Sequence, residues 1–379
     1  MLFLGAAAVG LVVSLIGFFI DRQQFAYSWL FGCTYFFTLA CGGLFWTLIH
    51  HATDSEWSVL VRRQYENLGS LVPYFFFVFL PLIAFCAPYL WHWWSATPAD
   101  HAYEEYQEKA GFLNHGFFWF RFVGYFVFLG GVITLLRKWS IQQDADGASV
   151  HSHRMRRLGV AGLIIFGVSL TFAAVDWLMG LGANSLWYST MWGVYVFAGT
   201  AGSSMSLLVI IITVLRSQGY LKAVNLEHYH MMGKWMLAFT IFWAYIGFDQ
   251  YMLIWYANIP EENIYFRIRN TESWHFFSTL LVVGRFFIPF PILLTQWIKK
   301  QPIRLCYLAC WVLFMQLIDI YVVVMPALHT TGFSPSIFDL GSLLAVGGLA
   351  GWIWMKKVGQ ANLFPTRDPR LSGSLTLTN

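Results

Sequence analysis

The sequence has 379 residues, of which 58% are hydrophobic and only 11% are charged, with a formal net charge of +4. A soluble domain carries about 25% charged residues, so this composition excludes an ordinary soluble protein. The mean hydropathy of +0.58 indicates a polytopic membrane protein instead. The small net charge gives no support for nucleic-acid binding.

Ten apolar stretches are each long enough to cross a bilayer, which takes roughly 20 helical residues. They cover residues 1–20, 26–49, 68–91, 116–136, 158–180, 191–215, 235–257, 274–297, 303–325 and 337–355. The first stretch has no basic start and no small-residue cleavage site, so we expect a span rather than a secretory signal. The sequence therefore predicts an all-α integral membrane domain over residues 1–355 and a polar tail over residues 356–379.

Lys and Arg are distributed unequally between the two sets of connecting segments. The segments after the even-numbered spans hold 17 of them, and those after the odd-numbered spans hold 4. The positive-inside rule therefore places both termini in the cytoplasm. The tail contains Pro365 and Pro369 and many polar residues. We expect it to become ordered only on a partner.

Two predicted cytoplasmic connections, residues 50–69 and 216–235, are similar in length and in their mixed charge. The preceding spans, 2 and 6, each carry a glycine followed closely by aromatic residues. This pattern predicts two parallel four-helix bundles, formed by spans 2–5 and spans 6–9 and flanked by spans 1 and 10. The alternative is a chance similarity between apolar segments.

Among the charged residues within predicted spans, three acids and one arginine need a physical reason, because a charge at the bilayer centre costs roughly 2.5–3.5 kcal/mol. At about 1.5 Å of rise per residue, Asp176 and Asp319 lie roughly 6–9 Å from the outer ends of their spans. Asp249 lies about 12 Å and Arg285 about 16 Å from the outer end by the same measure. Their depths increase step by step toward the middle of the membrane. Each charge therefore needs a role that offsets the cost of placing it there.

Three interpretations fit this ladder of charges. A structural salt bridge would join Arg285 to Asp249, the preferred partner, or to Asp319. A proton-conducting half-channel would lead from the outer face through carboxylates, hydroxyls and water. A transporter would bind its substrate near Asp249 and Arg285. Tyr245 lies one turn before Asp249, so we expect their shared face to point into the bundle, toward Arg285 and two serines. The proton-path candidates are Asp176, Asp249, Arg285, Asp319, Tyr245, Ser203, Ser204 and Glu66.

Other polar residues are expected at the membrane surfaces. His50 and His51 close span 2 and Glu66 opens span 3, so solvated positions are expected for all three. Arg121 lies near the outer end of span 4, and we expect its side chain to extend outward to water.

Redox centres are not expected in this chain. A membrane b-type haem needs two facing histidines within spans, and no histidine lies in a predicted span interior. The sequence has no cysteine cluster for iron–sulfur ligation, no Walker loop and no dinucleotide-binding glycine pattern. We therefore predict a chain without a prosthetic group or metal of its own.

Three stretches of the sequence resemble one family. They are VDWLMGLGANSLWYSTMWGVYVFAG (175–199), HYHMMGKWMLAFTIFWAYIGFDQYMLIWYANIPEE (228–262) and residues 30–77, with WSVLVRRQYENLGSLVPYFFF at their end. Together they resemble the NrfD-like membrane subunits of bacterial alternative complex III, and within these the ActF rather than the paralogous ActC subunits. The resemblance covers about residues 26–325.

The resemblance implies ten helices with two four-helix bundles in the bacterial inner membrane. It implies a cofactor-free, non-redox subunit of a respiratory quinol:electron acceptor oxidoreductase, with a role in assembly and in proton translocation through Asp176, Asp249, Arg285 and Asp319. The implied partners are ActC, an iron–sulfur protein and c-type cytochromes, which would carry the iron–sulfur clusters and haem c. A terminal oxidase, lipids and quinol are further expected partners, but no quinol-binding residue is carried over. A secondary transporter and a purely structural scaffold are the alternatives.

Overall fold

The computed structural model describes residues 2–100, 102–182, 187–260 and 262–378, and this part of the chain is helical without a β-strand. Ten helices within it are long and apolar enough to cross a membrane. They are α1 (Leu2–Ile20), α2 (Arg22–Ala52), α3 (Val59–Leu90), α4 (His115–Asp146), α5 (Ser149–Met179), α6 (Trp192–Ser217), α7 (Leu226–Ala257), α8 (Ser273–Leu294), α9 (Pro302–Ala327) and α10 (Ile337–Val358). The expectation of an all-α, multi-pass membrane protein is confirmed.

Several helices extend well beyond the apolar stretches that predicted them. Helices α4 and α7 each have 32 residues, or about 48 Å at 1.5 Å per residue, which exceeds a hydrocarbon core of about 30 Å. The extension of α4 lies at its C-terminal end, where Gly147 is left-handed with a φ of 69°, and that of α7 lies at its N-terminal end. Polar caps stabilise the starts of both helices. The Asn114 side chain accepts from the Phe117 amide at 2.8 Å, and Asn225 caps the start of α7. Hydropathy located the apolar middle of each helix but not its polar ends.

Three of the helices contain π-helical segments, which change the direction of the side chains that follow. These segments are Leu82–Cys86 in α3, Val175–Met179 in α5 and Val282–Phe287 in α8. A π-helical segment weakens the regular hydrogen-bond ladder and is frequent at functional sites. Asp176 and Arg285, two of the predicted charges, lie on the second and third of these segments.

Contacts between helices form two rings. Helices α2, α3, α4 and α5 contact one another in sequence, and α5 returns to α2. Helices α6, α7, α8 and α9 do the same, and α9 returns to α6. The rings meet where α2 packs on α6, and Gly42 allows this contact because a Cβ there would lie 2.1 Å from the Ser204 hydroxyl oxygen. Helices α1 and α10 pack together beside α2.

Residues 359–378 pack across one end of the helices, which we call the tail face. The Arg367 guanidinium donates to the Ala145 carbonyl at 2.6 Å, and the Asn225 side chain donates to the Leu377 carbonyl at 3.1 Å. Within the tail, Leu371–Leu375 forms a short helix. The expectation that this segment is ordered only on a partner is therefore wrong, because its polar groups bind the chain's own helix ends. The opposite end, with residues 91–100, 102–114, 258–260, 262–271 and 328–336, is called the distal face.

Candidate functional site

Arg285 of α8 and Asp319 of α9 form a buried ion pair. Arg285 Nη1 lies 2.7 Å from Asp319 Oδ2, and the two side chains are 5% and 3% exposed. The guanidinium also donates to the Gln316 side chain and lies 4.4 Å from the centre of the Trp243 ring. Asp319 accepts further hydrogen bonds from the Tyr195 hydroxyl and from Trp243 Nε1. The protein thus supplies hydrogen-bond donors to both oxygens of this carboxylate.

Gly199 of α6 provides the space that Arg285 occupies. A Cβ at this position would lie 3.0 Å from Gln316 Oε1 and 3.1 Å from Arg285 Nη2, which is closer than an ordinary contact. One turn further along α6, the Ser203 hydroxyl donates to the Gly199 carbonyl at 2.7 Å. The backbone of α6 therefore forms one wall of the ion-pair site.

A cavity of about 840 Å³ lies beside this ion pair, between α7, α8 and α9. Asp319 and Tyr195 contribute to its wall, together with polar residues near the distal face such as Gln250 and His275. Trp255, which is 67% exposed, also lines it, so the cavity opens on the outer surface of the helices. The cavity connects the carboxylate region of Asp319 with the distal half of the molecule.

A second buried ion pair joins Arg121 of α4 to Asp176 of α5. Arg121 donates to Asp176 twice, through Nε and Nη2, at 2.8 Å each, and the Tyr125 hydroxyl donates to the same carboxylate at 2.5 Å. The guanidinium lies 3.8 Å and 4.5 Å from the ring centres of Phe112 and Phe117. The expectation that Arg121 extends to water is wrong, because a bidentate carboxylate and two aromatic faces hold it inside.

The two ion pairs occupy corresponding positions in the two rings of helices. Arg121 and Arg285 lie on the third helix of their rings, and Asp176 and Asp319 lie on the fourth. In each ring a tyrosine hydroxyl also donates to the aspartate, although from a different helix. In each pair one member lies on a π-helical segment. The same electrostatic arrangement thus occurs twice in this chain.

Asp249 belongs to neither ion pair. In the described part of the chain its carboxylate has no hydrogen bond and no ion pair, and Tyr245, on the same face, is 63% exposed. The expectation that Asp249 faces the interior and binds Arg285 is wrong. Helix α7 directs Ile246 and Gln250 inward, and successive residues on a helix differ by about 100° in direction. Asp249 therefore points to the side, away from the ion pair.

The predicted serines hydrogen-bond to the backbone of α6 rather than to the charged residues, and Ser204 also connects two helices. Ser204 accepts from Trp46 Nε1 at 3.1 Å and donates to the Ala201 carbonyl at 3.1 Å, so it joins α6 to α2. Ser203 bonds back within α6. The sequence predicted one series of charges at increasing depth, but the structure divides these charges between two ion pairs in separate rings. A continuous proton path stays a prediction.

Glu66 lies in a charge network at the tail face, within α3. Its carboxylate is 3.1 Å from Arg62 Nε and 3.3 Å from Arg63 Nε, and all three side chains are fully buried. Arg62 also binds Asp368 of the tail, and Arg63 lies 2.7 Å from Asp144 of α4. The expectation of a solvated Glu66 is wrong, because the packed tail covers this part of the chain.

The tail contributes Asp368 to this network. Burial opposes the ionisation of Asp368, but the guanidinium groups of Arg62 and Arg370 outweigh it and hold the pKa of Asp368 well below its usual value. His50 Nε2 lies 3.1 Å from Arg62 Nη1. His50 and His51 are each 1% exposed, so the expectation of solvated histidines here is also wrong.

Sequence reasoning missed five residues of the ion-pair sites. They are Arg121, Tyr125, Tyr195, Trp243 and Gln316. Arg121 could have been found from the proposed repeat, since it corresponds to Arg285 on the third helix of the other ring. The aromatic residues gave no such signal, because 19% of the whole chain is aromatic.

The fold and the ion pairs define a multi-pass membrane protein that holds charge in two places inside its helix bundle. Across the described residues, no group of three or more His, Cys, Asp or Glu side chains could hold a metal ion. No family model matches this chain, and no curated protein matches it either. The resemblance to NrfD-like subunits therefore stays a prediction.

Proposed function

We propose that this chain is a cofactor-free integral membrane subunit of a respiratory quinol-oxidising complex of the alternative complex III type. The observation that carries the proposal is the Arg285–Asp319 pair, which keeps a titratable group inside the membrane beside a large cavity. The resemblance of residues 26–325 to the ActF subunits supports it from the sequence. Electron transfer then belongs to partner subunits with iron–sulfur clusters and haem c, and ActC carries the main quinol chemistry.

In this proposal the chain consists of two four-helix bundles, α2–α5 and α6–α9, flanked by α1 and α10. The ring contacts and the recurring Arg–Asp pair support this division. The tail face then lies in the cytoplasm and both termini with it, because most Lys and Arg residues follow the even-numbered helices. The distal face points to the other side of the bacterial inner membrane, where c-type cytochromes would dock.

The proposed chemistry of the site is proton handling by Asp319. The cavity allows water to approach this carboxylate from the distal half of the molecule. While Arg285 binds it, Asp319 stays ionised, and it takes up a proton when the guanidinium withdraws. Tyr195 and Trp243 keep the carboxylate in position during the exchange. The cavity volume also falls within the range of small-molecule sites, so a quinol is a further candidate occupant.

The first experiment tests membership in a complex. The chain is extracted from native membranes in mild detergent and purified through an affinity tag. We expect partner subunits with covalently attached c-type haem, seen in absorbance spectra and mass spectrometry. Recovery of a colourless, monomeric chain under several gentle conditions would contradict the proposed function.

The second experiment tests proton handling with Asp319→Asn, which keeps the shape of the side chain but cannot bind a proton. In vesicles with the intact complex, we expect quinol oxidation to continue with fewer protons translocated per electron. Asp176→Asn serves as the matched variant in the other ring. A well-assembled Asp319→Asn complex with an unchanged ratio would remove Asp319 from the path.

A secondary transporter is the second candidate function. The cavity favours it, together with the interruption of α8 by a π-helical segment followed by Pro289 and Pro291. Its substrate site would lie near Asp319 and Arg285, since Asp249 is outside the site. The chain alone, reconstituted in vesicles, should then accumulate a solute. A purely structural scaffold predicts instead that Asp319→Asn reduces assembly without changing the proton ratio.

A further inference from the structure

Asp249 differs from the other carboxylates of the membrane helices. In the described residues of α1–α10, each of the other carboxylates has a hydrogen bond or an ion pair within the chain. Asp249 has neither, and its side chain is half-buried on the outer side of α7. The chain therefore leaves one membrane acid without an internal partner.

The position of Asp249 along α7 argues against contact with bulk water as the explanation. It lies eight residues before Ala257, the last residue of α7, which corresponds to about 12 Å along the helix. Lys and Arg can extend long side chains from such a depth to the interface. Asp has a single methylene group and cannot do so. Trp255 and Tyr256, nearer the helix end, suit the interfacial aromatic belt.

Lipid alone is also a poor environment for this residue. An ionisable side chain that faces hydrocarbon is costly, and such residues almost always face protein or a water-filled cavity. The cavity beside Asp319 does not provide that water, because Asp249 is absent from its wall while its neighbours Phe248 and Gln250 belong to it. Asp249 points away from both the cavity and the buried face of α7.

The surroundings of Asp249 have the composition of a protein contact. Large side chains that share its side of α7 are strongly exposed in the isolated chain, namely Met252 (42%), Leu253 (56%) and Tyr256 (85%), together with Tyr245 (63%), which also lines the edge of the cavity. Two tyrosines flank the acid, one turn before it and two turns after it. Aromatic residues are enriched in interfaces, where the ring packs and the hydroxyl group finds a partner.

We infer that the outer face of α7 around Asp249 binds a transmembrane helix of another protein, which places a basic side chain opposite this carboxylate. Lys, Arg or His on that helix would neutralise Asp249 in a medium of low dielectric constant. Tyr245, Leu253 and Tyr256 would pack on both sides of the pair and keep lipid away from it. The inference does not rest on the proposed function, because it concerns the contact and not the chemistry of the assembly.

The test combines crosslinking with charge variants in the intact assembly in native membranes. The photo-reactive residue p-benzoyl-phenylalanine replaces Leu253 or, separately, Tyr256, and a control replaces Ile164, which is 70% exposed on α5. Asp249→Leu, Asp249→Asn and Asp249→Glu are compared for the amount of partner that co-purifies. The thermal midpoint and gel-filtration profile of each variant verify that the chain itself is folded.

We expect adducts at Leu253 or Tyr256 that map to a membrane segment of another protein, with Lys, Arg or His within one turn of the crosslink. Asp249→Leu and Asp249→Asn should reduce that partner by about tenfold or more, and Asp249→Glu should retain it. Exchange of the two charges, with Asp249→Lys and Asp in place of the partner's basic residue, should restore binding. The inference would be overturned by adducts with lipid only, with a second copy of this chain or with a segment that lacks a basic residue. Full retention of the partner by Asp249→Leu would overturn it as well.

Discussion

Replacement of Arg285 by Leu tests whether the ion pair of α8 and α9 acts as one unit. The variant leaves the Asp319 carboxylate, 3% exposed, with hydrogen bonds from Tyr195 and Trp243 but without a counter-charge. Removal of one partner from a buried pair costs about 3–5 kcal/mol. Since solvent does not screen this pair, we expect Arg285→Leu to lower the free energy of unfolding by an amount in that range.

A double-mutant cycle separates the pair from the individual side chains. Apolar residues that replace both members of a buried ion pair often cost little, so Arg285→Leu combined with Asp319→Leu should recover most of the lost stability. Because each single replacement leaves one buried charge unpaired and the double replacement leaves none, the loss in the double variant should be several kcal/mol smaller than the sum of the two single losses. Arg304→Leu is the matched control, because Arg304 is exposed and its guanidinium stacks on the Trp297 ring at 3.9 Å. Its effect should stay within about 0.5 kcal/mol.

The assay is equilibrium unfolding of the purified chain in mixed micelles by titration with sodium dodecyl sulfate, followed by tryptophan fluorescence and circular dichroism. Strictly additive losses in the double variant would refute the argument, since they would show that Arg285 and Asp319 contribute independently. A loss below about 1 kcal/mol for Arg285→Leu would refute it as well, because that magnitude is typical of a solvated pair.

Two further predictions follow from single contacts. The pKa of Asp368 in the folded chain is held below its unfolded value of about 3.9. The contribution of this residue to tail docking is therefore complete above about pH 3.9 and is lost as the pH falls through the folded pKa. Limited proteolysis should therefore release the tail progressively below about pH 4 but not at pH 6. The variant Asp368→Asn leaves Arg62 without this carboxylate, so proteolysis should release its tail at pH 6 as well as below about pH 4. Gly199→Val should destabilise the chain by about 1–3 kcal/mol, because its side chain would overlap Arg285, and Gly199→Ala should have a smaller effect in the same unfolding assay.

The positions of the helices could be predicted because a helix that crosses a bilayer needs a long apolar stretch, which hydropathy detects directly. Each predicted span coincides with one of the helices α1–α10, including α1, which resembles a signal sequence in its position. The helix ends were less predictable, since polar turns beyond the hydrocarbon core carry no hydropathy signal. At the ends of α4 and α7 the fold depends on local caps such as Asn114 and Asn225 instead.

Side-chain direction was the less predictable part of the site. Depth along a helix can be counted from the sequence, and Arg285 and Asp319, which the counting selected, form a buried ion pair in the structure. The rotation of each helix depends on which of its faces packs on a neighbour. Asp249 and Gln250 differ by one position, yet Gln250 is buried and Asp249 points to the side. Helix α7 has hydrophobic residues on all sides, so its pattern could not distinguish these directions.

The packing of the tail on α3 has a consequence for biosynthesis. Asp368 binds Arg62 across a separation of 306 residues in the chain. Because synthesis begins at the N-terminus, α3 enters the membrane long before this carboxylate exists. Until then Arg62 and Arg63 share the single carboxylate of Glu66 and that of Asp144. A residue far downstream thus completes the charge balance of α3, and a chain that stops before Asp368 leaves Arg62 without this carboxylate.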